Sequence, residues 1–103
     1  MTENFGYVIA TRYLVENKRP VMFMYREEEE GTDSGWRFFA GDEDQAYVDD
    51  PENLGIYDIK TILELSPDVE MYLHMPAGTA LEREDASDAF NTIHDWTFAP
   101  EEA

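Results

Sequence analysis

Three consecutive carboxylates, Asp42-Glu43-Asp44, with Asp49 and Asp50 close behind, are the residues of this chain best suited to do chemistry. Converging carboxylates can hold a hard cation such as calcium, or divide acid and base roles in a hydrolysis. Neither pattern is complete here. The spaced acids, glycine and closing glutamate of a helix–loop–helix calcium site are missing, and a catalytic carboxyl pair needs a pocket that fixes its separation. A solvated acidic turn is the reading these residues favour. His74 and His94 are the only histidines and form no metal-binding pair. Ser34 precedes a glycine but lacks the surroundings of a nucleophile elbow. Gly31, Gly35 and Gly41 have the wrong spacing for a phosphate loop and sit among carboxylates. With no cysteine, thiolate nucleophiles, disulfides and cysteine-ligated metals are excluded. No catalytic residue, resident metal or cofactor is expected, and the chain reads as a binding protein rather than an enzyme.

The acid depends on the strands that carry it. Trp36, Phe38 and Phe39 make an aromatic strand between Ser34-Gly35 and Gly41, and it runs straight into the carboxylate cluster. Trp36 is either a core residue, which composition favours, or an anchor for a partner. Val21 to Tyr25 is a continuous apolar run, the pattern of a central strand covered on both faces. Between these strands, Glu27 to Gly35 includes Glu27, Glu28, Glu29, Glu30 and Asp33. That stretch predicts an antiparallel pair joined by a long acidic loop held out in water.

Gly6 to Thr11 predicts a first strand and Thr79 to Arg83 a last one. Helical segments are expected over Arg12 to Arg19, and in a short turn capped by Asp50, begun by Pro51 and closed by Gly55. Two more follow the caps Asp58 and Ser66, with Ile59, Ile62 and Leu63, then Val69, Tyr72 and Leu73, turned inward. Ala86, Ala89, Phe90, Ile93 and Trp96 have the spacing of a further amphipathic helix, ahead of a polar tail. The sum is a single α+β domain over residues 1–103: an antiparallel sheet of about four strands, with two or three short helices packed on one face.

Of 103 residues, 24 are acidic and 7 basic, a net charge of −17. Such a chain repels phosphates, which excludes nucleic acid and anionic membrane as partners and favours a basic protein. The plain alternative is acid kept for solubility or for life at high salt. The charge is uneven, with eleven acids against Arg37 alone between residues 27 and 52. At 43% apolar the chain can bury one core. No run reaches the ~18 apolar residues of a membrane span and no signal pattern opens the chain, so a cytosolic location is expected.

Tyr25-Arg26-Glu27, the run Asp33 to Asp44, and Asn53 to Asp58 together resemble a bacterial family of small acidic proteins. That family is grouped with the immunity proteins of polymorphic toxin systems, as immunity family thirty-three. Ser66-Pro67-Asp68 and Pro76 to Arg83 are similar to its C-terminal half. The resemblance covers about residues 5 to 84 and is most specific in Ser34-Gly35-Trp36 and Gly41-Asp42-Glu43-Asp44. It implies a protein that binds and neutralises a toxin, and it carries over no catalytic residues. An acidic domain is suited to occlude the basic cleft of a nuclease toxin, since opposed fields speed encounter. The expected steering charges are Glu27, Glu28, Glu29, Glu30, Asp33, Asp42, Glu43 and Asp44, with Trp36 as the possible anchor. A regulatory interaction module and a small carboxylate-dependent hydrolase are the alternatives. Oligomeric state is not legible.

Overall fold

Alternating β-branched and aromatic residues set the strands of this chain, and proline, glycine and aspartate set their ends. The computed structural model describes residues 6–28 and 31–93. Among the described residues six strands form one mixed sheet: β1 (Tyr7–Thr11), β2 (Phe23–Arg26), β3 (Asp33–Phe39), β4 (Leu54–Asp58), β5 (Ala80–Glu82) and β6 (Asn91–Thr92). Their order is β4-β1-β3-β2-β5-β6. Three short helices, α1 (Arg12–Glu16), α2 (Gln45–Asp49) and α3 (Ile59–Leu65), are joined by 3-10 turns at Pro51–Asn53 and Pro67–Tyr72.

The β2–β3 pair is antiparallel, as the two apolar runs predict, with Phe23 opposite Phe39 and Arg26 opposite Trp36. β2 is central, flanked on its other side by β5. Asp58 caps α3, accepting from the Lys60 N–H at 2.8 Å, and Asp50 caps the Pro51–Asn53 turn.

Four expectations are corrected. The sheet has six strands rather than about four, and it is mixed, because β1 lies parallel to β3 and antiparallel to β4. Gly55 does not close a helical turn; it lies inside β4, where an added Cβ would stand 2.7 Å from the Tyr57 hydroxyl oxygen. The glycine is there because the tyrosine ring covers it. Ser66 makes no side-chain cap; its hydroxyl oxygen instead accepts from the Val21 N–H at 2.9 Å. No helix follows Asp85 within the described residues. The Asp85 carboxylate accepts from the Ser87 N–H and hydroxyl, a local turn that competes with helix, and the chain then pairs as β6. Trp96 and the polar tail lie outside the described residues.

The register divides the sheet into two faces. Val8 and Ala10 of β1, Met24 of β2, Trp36 and Phe38 of β3 and Leu81 of β5 form one core with Leu14, Ile59, Ile62, Val69, Leu73 and Phe90. Residues of α1, α3 and the Pro67–Tyr72 turn pack on that face, whereas α2 buries no residue in this core. Ile9, Arg37 and Tyr25 stand in register on the opposite face, flanked by Phe23 and Phe39. Among the described residues no helix is long and apolar enough to cross a membrane.

Candidate functional site

The site begins where β3 leaves the sheet. After Phe39, Glu43 folds back on its own loop and accepts three hydrogen bonds. Its Oε2 takes the Thr11 hydroxyl at 2.6 Å and the Ala40 N–H at 2.8 Å, and its Oε1 takes the Gly41 N–H at 2.9 Å. Asp44 caps α2, accepting from the Tyr47 N–H at 2.8 Å. Asp42 accepts from the Tyr13 hydroxyl at 3.1 Å and pairs with Arg19 at 3.4 Å, while Arg19 also donates to Tyr13. The acid run thus forms a braced wall.

A second wall comes from the end of β5. Leu81 and Arg83 are buried while Glu82 and Glu84 are exposed. The Arg83 side chain is 1% exposed, donating to the Val21 and Asp88 carbonyls, pairing with Asp68 at 2.6 Å and lying 4.2 Å over the Phe90 ring. Between the walls the Phe39 ring packs 5.3 Å from Phe23 and 5.6 Å from Tyr25. Together these residues line a groove of about 1080 Å³.

Six carboxylates line this groove, Asp42, Glu43, Asp44, Glu82, Glu84 and Asp85, against the two arginines Arg19 and Arg83. Both arginines are committed to internal partners, so the field of the groove is negative. Among the described residues the side-chain carboxylates of Glu82 and Glu84 make no hydrogen bond or ion pair. Burial, reinforced by Glu27, pushes the Tyr25 phenol up to about 12, which keeps it a neutral hydroxyl.

The expected site residues do not gather in one place. Asp42, Glu43 and Asp44 are on the groove, but Asp33 opens β3, roughly 20 Å from Phe39 at the rise of an extended strand, and Glu27 lies near it, beside the Tyr25 end of the floor. There both meet Arg37, which binds the Asp33 carboxylate with two nitrogens, at 2.9 and 2.8 Å, and reaches Glu27 at 3.3 Å. That hydrogen bonding, above all, holds the Asp33 carboxyl below its usual range. Burial acts to lower the Arg37 pKa, but Asp33 and Glu27 outweigh it and the net shift is upward. Glu28 is exposed, and Glu29 and Glu30 lie outside the described residues. Trp36 is fully buried, its indole N–H donating to the Leu73 carbonyl at 3.1 Å, so it is a core residue and presents no anchor.

Glu82 and Glu84 were not among the expected residues. Their signal was the alternation Leu81-Glu82-Arg83-Glu84, which turns both glutamates to one side of a strand end.

Among the described residues no three His, Asp or Glu side chains are grouped to hold a metal ion, and no carboxylate is buried. The Asp42-Glu43-Asp44 oxygens are spent separately, on a loop brace, a helix cap and an ion pair. What the groove can do is receive a positively charged, partly apolar surface.

The model of the Immunity protein Imm33 domain matches residues 8–94. Searches of the curated proteins and of the solved structures return no match. The matched span takes in the sheet from Val8 onward, both groove walls and the aromatic floor. This chain belongs to the Imm33 immunity protein family.

Proposed function

We propose that this immunity protein neutralises its toxin by direct occlusion, seating a basic segment of the toxin in the groove between residues 42–45 and 82–86. The observation that carries this reading is the composition of the groove: six carboxylates around an aromatic floor, with both lining arginines already engaged. Opposed fields set the encounter rate, and Phe23, Tyr25 and Phe39 supply apolar contact once the basic segment arrives. Glu82 and Glu84 are the main steering charges, because their carboxylates are exposed and make no internal bond among the described residues. Asp42, Glu43 and Asp44 hold the opposite wall. The site of action is the cytosol, and the toxin is basic at the face it presents.

The test uses the toxin domain that this chain protects against, sought first among the products of the neighbouring genes. Co-expression should protect a host from that domain. In surface plasmon resonance, the double variant Glu82→Lys with Glu84→Lys should associate on the order of tenfold more slowly than the parent at low salt, the two rates converging as salt is raised. An unchanged low-salt association rate would remove the groove from the mechanism. Protection without any binding would remove occlusion itself.

A further inference from the structure

Apart from the groove, the fold carries an edge built for pairing. β4 pairs with β1 at five consecutive positions, from Thr11 opposite Leu54 to Tyr7 opposite Asp58, without a bulge. Among the described residues its other side pairs with no strand. Protein edges are usually blunted by lysine, proline, a bulge or extreme shortness, and β4 has none of these between Leu54 and Asp58. At its centre Ile56 is 67% exposed, and the half-buried Ile9 lies beside it in register. The one charge within the strand, Asp58, caps α3.

The charge of the chain also vanishes here. Residues 53 to 63 carry Asp58 and Lys60 and no other charged side chain, in a protein of net charge −17. The acid that elsewhere favours a basic partner, and that would drive two copies apart, is missing along this edge.

We infer that β4 is a self-association edge, at which a second copy pairs antiparallel about a two-fold axis through Ile56. This register sets Ile56 against Ile56 of the partner subunit, closing two exposed apolar side chains on each other. It also sets Leu54 against Asp58 of the partner subunit, so that no like charges face each other along the strand. A register centred on Asp58 would instead place Asp58 against Asp58 of the partner subunit, like against like, which disfavours that register. The interface is isologous, as most dimer interfaces are. The groove floor lies on β2 and β3, with β1 between them and β4, so the inference stands independently of how the toxin is bound.

The full chain should sediment as a concentration-dependent dimer between micromolar and millimolar protein, and Ile56→Lys should sediment as a monomer with an unchanged circular dichroism spectrum. The chain has no cysteine, so Ile56→Cys introduces a single thiol at the axis. Under mild oxidation it should form an inter-chain disulfide on the order of tenfold faster than Met71→Cys, whose parent side chain is 64% exposed but lies away from the edge. A chain that stays monomeric at every concentration overturns the inference, as does a dimer that survives Ile56→Lys, or equal disulfide rates at the two positions. A monomer whose toxin binding is weakened by Ile56→Lys also overturns it, assigning the edge to a strand of the toxin instead.

Discussion

The Thr11 hydroxyl donates to Glu43 Oε2 at 2.6 Å, across 32 positions of sequence, and accepts from the Leu14 N–H at 3.2 Å. One carboxylate therefore locks the first turn of α1 to the loop leaving β3. An amide at position 43 has a single acceptor oxygen and turns two N–H groups toward a site that supplies three donors. Glu43→Gln should accordingly lower stability by about 1–3 kcal/mol, the range for stranding partly buried polar groups. Glu84→Gln, exposed and without a protein partner among the described residues, should stay within about 0.5 kcal/mol of the parent. Urea unfolding of the pair decides it, and equal midpoints would mean that the brace contributes nothing.

Gly35 carries a prediction of a different kind. Its φ is +93°, and a Cβ there would stand 2.1 Å from the Glu27 carbonyl oxygen, a backbone atom of the facing chain that cannot swing aside as a side chain would. Gly35→Ala meets backbone clash and an unfavourable φ together. It should cost at least about 2 kcal/mol, or prevent folding at 37 °C. A variant melting within a degree or two of the parent would show that the hairpin relaxes freely.

That glycine explains why the most recognisable stretch of the sequence marks the fold rather than the site. Ser34 is buried, Gly35 admits the backbone of β2, and Trp36 fills the core. The hairpin of β2 and β3 was legible because two apolar runs flank a stretch of repelling glutamates, and α3 because Asp58 precedes residues at helical spacing. β4 was hidden by a glycine that resembles a helix stop yet answers to the Tyr57 ring. The parallel pairing of β1 with β3 joins residues more than 20 positions apart, and no local pattern encodes it. The acid was legible by type and not by place. The remaining six residues of β3 separate Asp33 from the turn that bears Asp42, so an acid-rich stretch of sequence becomes two clusters in space.

Asp33 and Arg37 should shape the acid limb of stability. Arg37 holds the Asp33 carboxyl below its ordinary value of 3.8, and the two side chains are only 13% and 12% exposed. A depressed folded pKa means that the stabilisation is complete above the unfolded value and is lost as pH falls through the folded one. Asp33→Asn should therefore unfold more easily than the parent at neutral pH, with the difference narrowing once the pH drops below about 4. Parallel curves for the two proteins from pH 7 to pH 2 would exclude a titrating contribution from this pair.

Arg83 supports the groove from behind, and its replacement should separate stability from charge. Its guanidinium meets the Val21 carbonyl at 3.0 Å, the Asp88 carbonyl at 3.0 Å and Asp68 at 2.6 Å, on directions that diverge as a planar fork allows. A lysine keeps the positive charge but is a single point on a flexible stem, and it cannot reach all three acceptors at once. Arg83→Lys should cost about 1–3 kcal/mol and loosen the 82–86 wall, so that toxin dissociation quickens while low-salt association changes little. Asp68→Asn should cost less, because the Asp68 side chain is 45% exposed and water can take its place at the rim. If Arg83→Lys were as stable as the parent, or if Asp68→Asn proved the more damaging change, the fork would not be what holds this wall. Measuring both variants by thermal unfolding, and then by dissociation rate, distinguishes a wall held by geometry from one held by net charge.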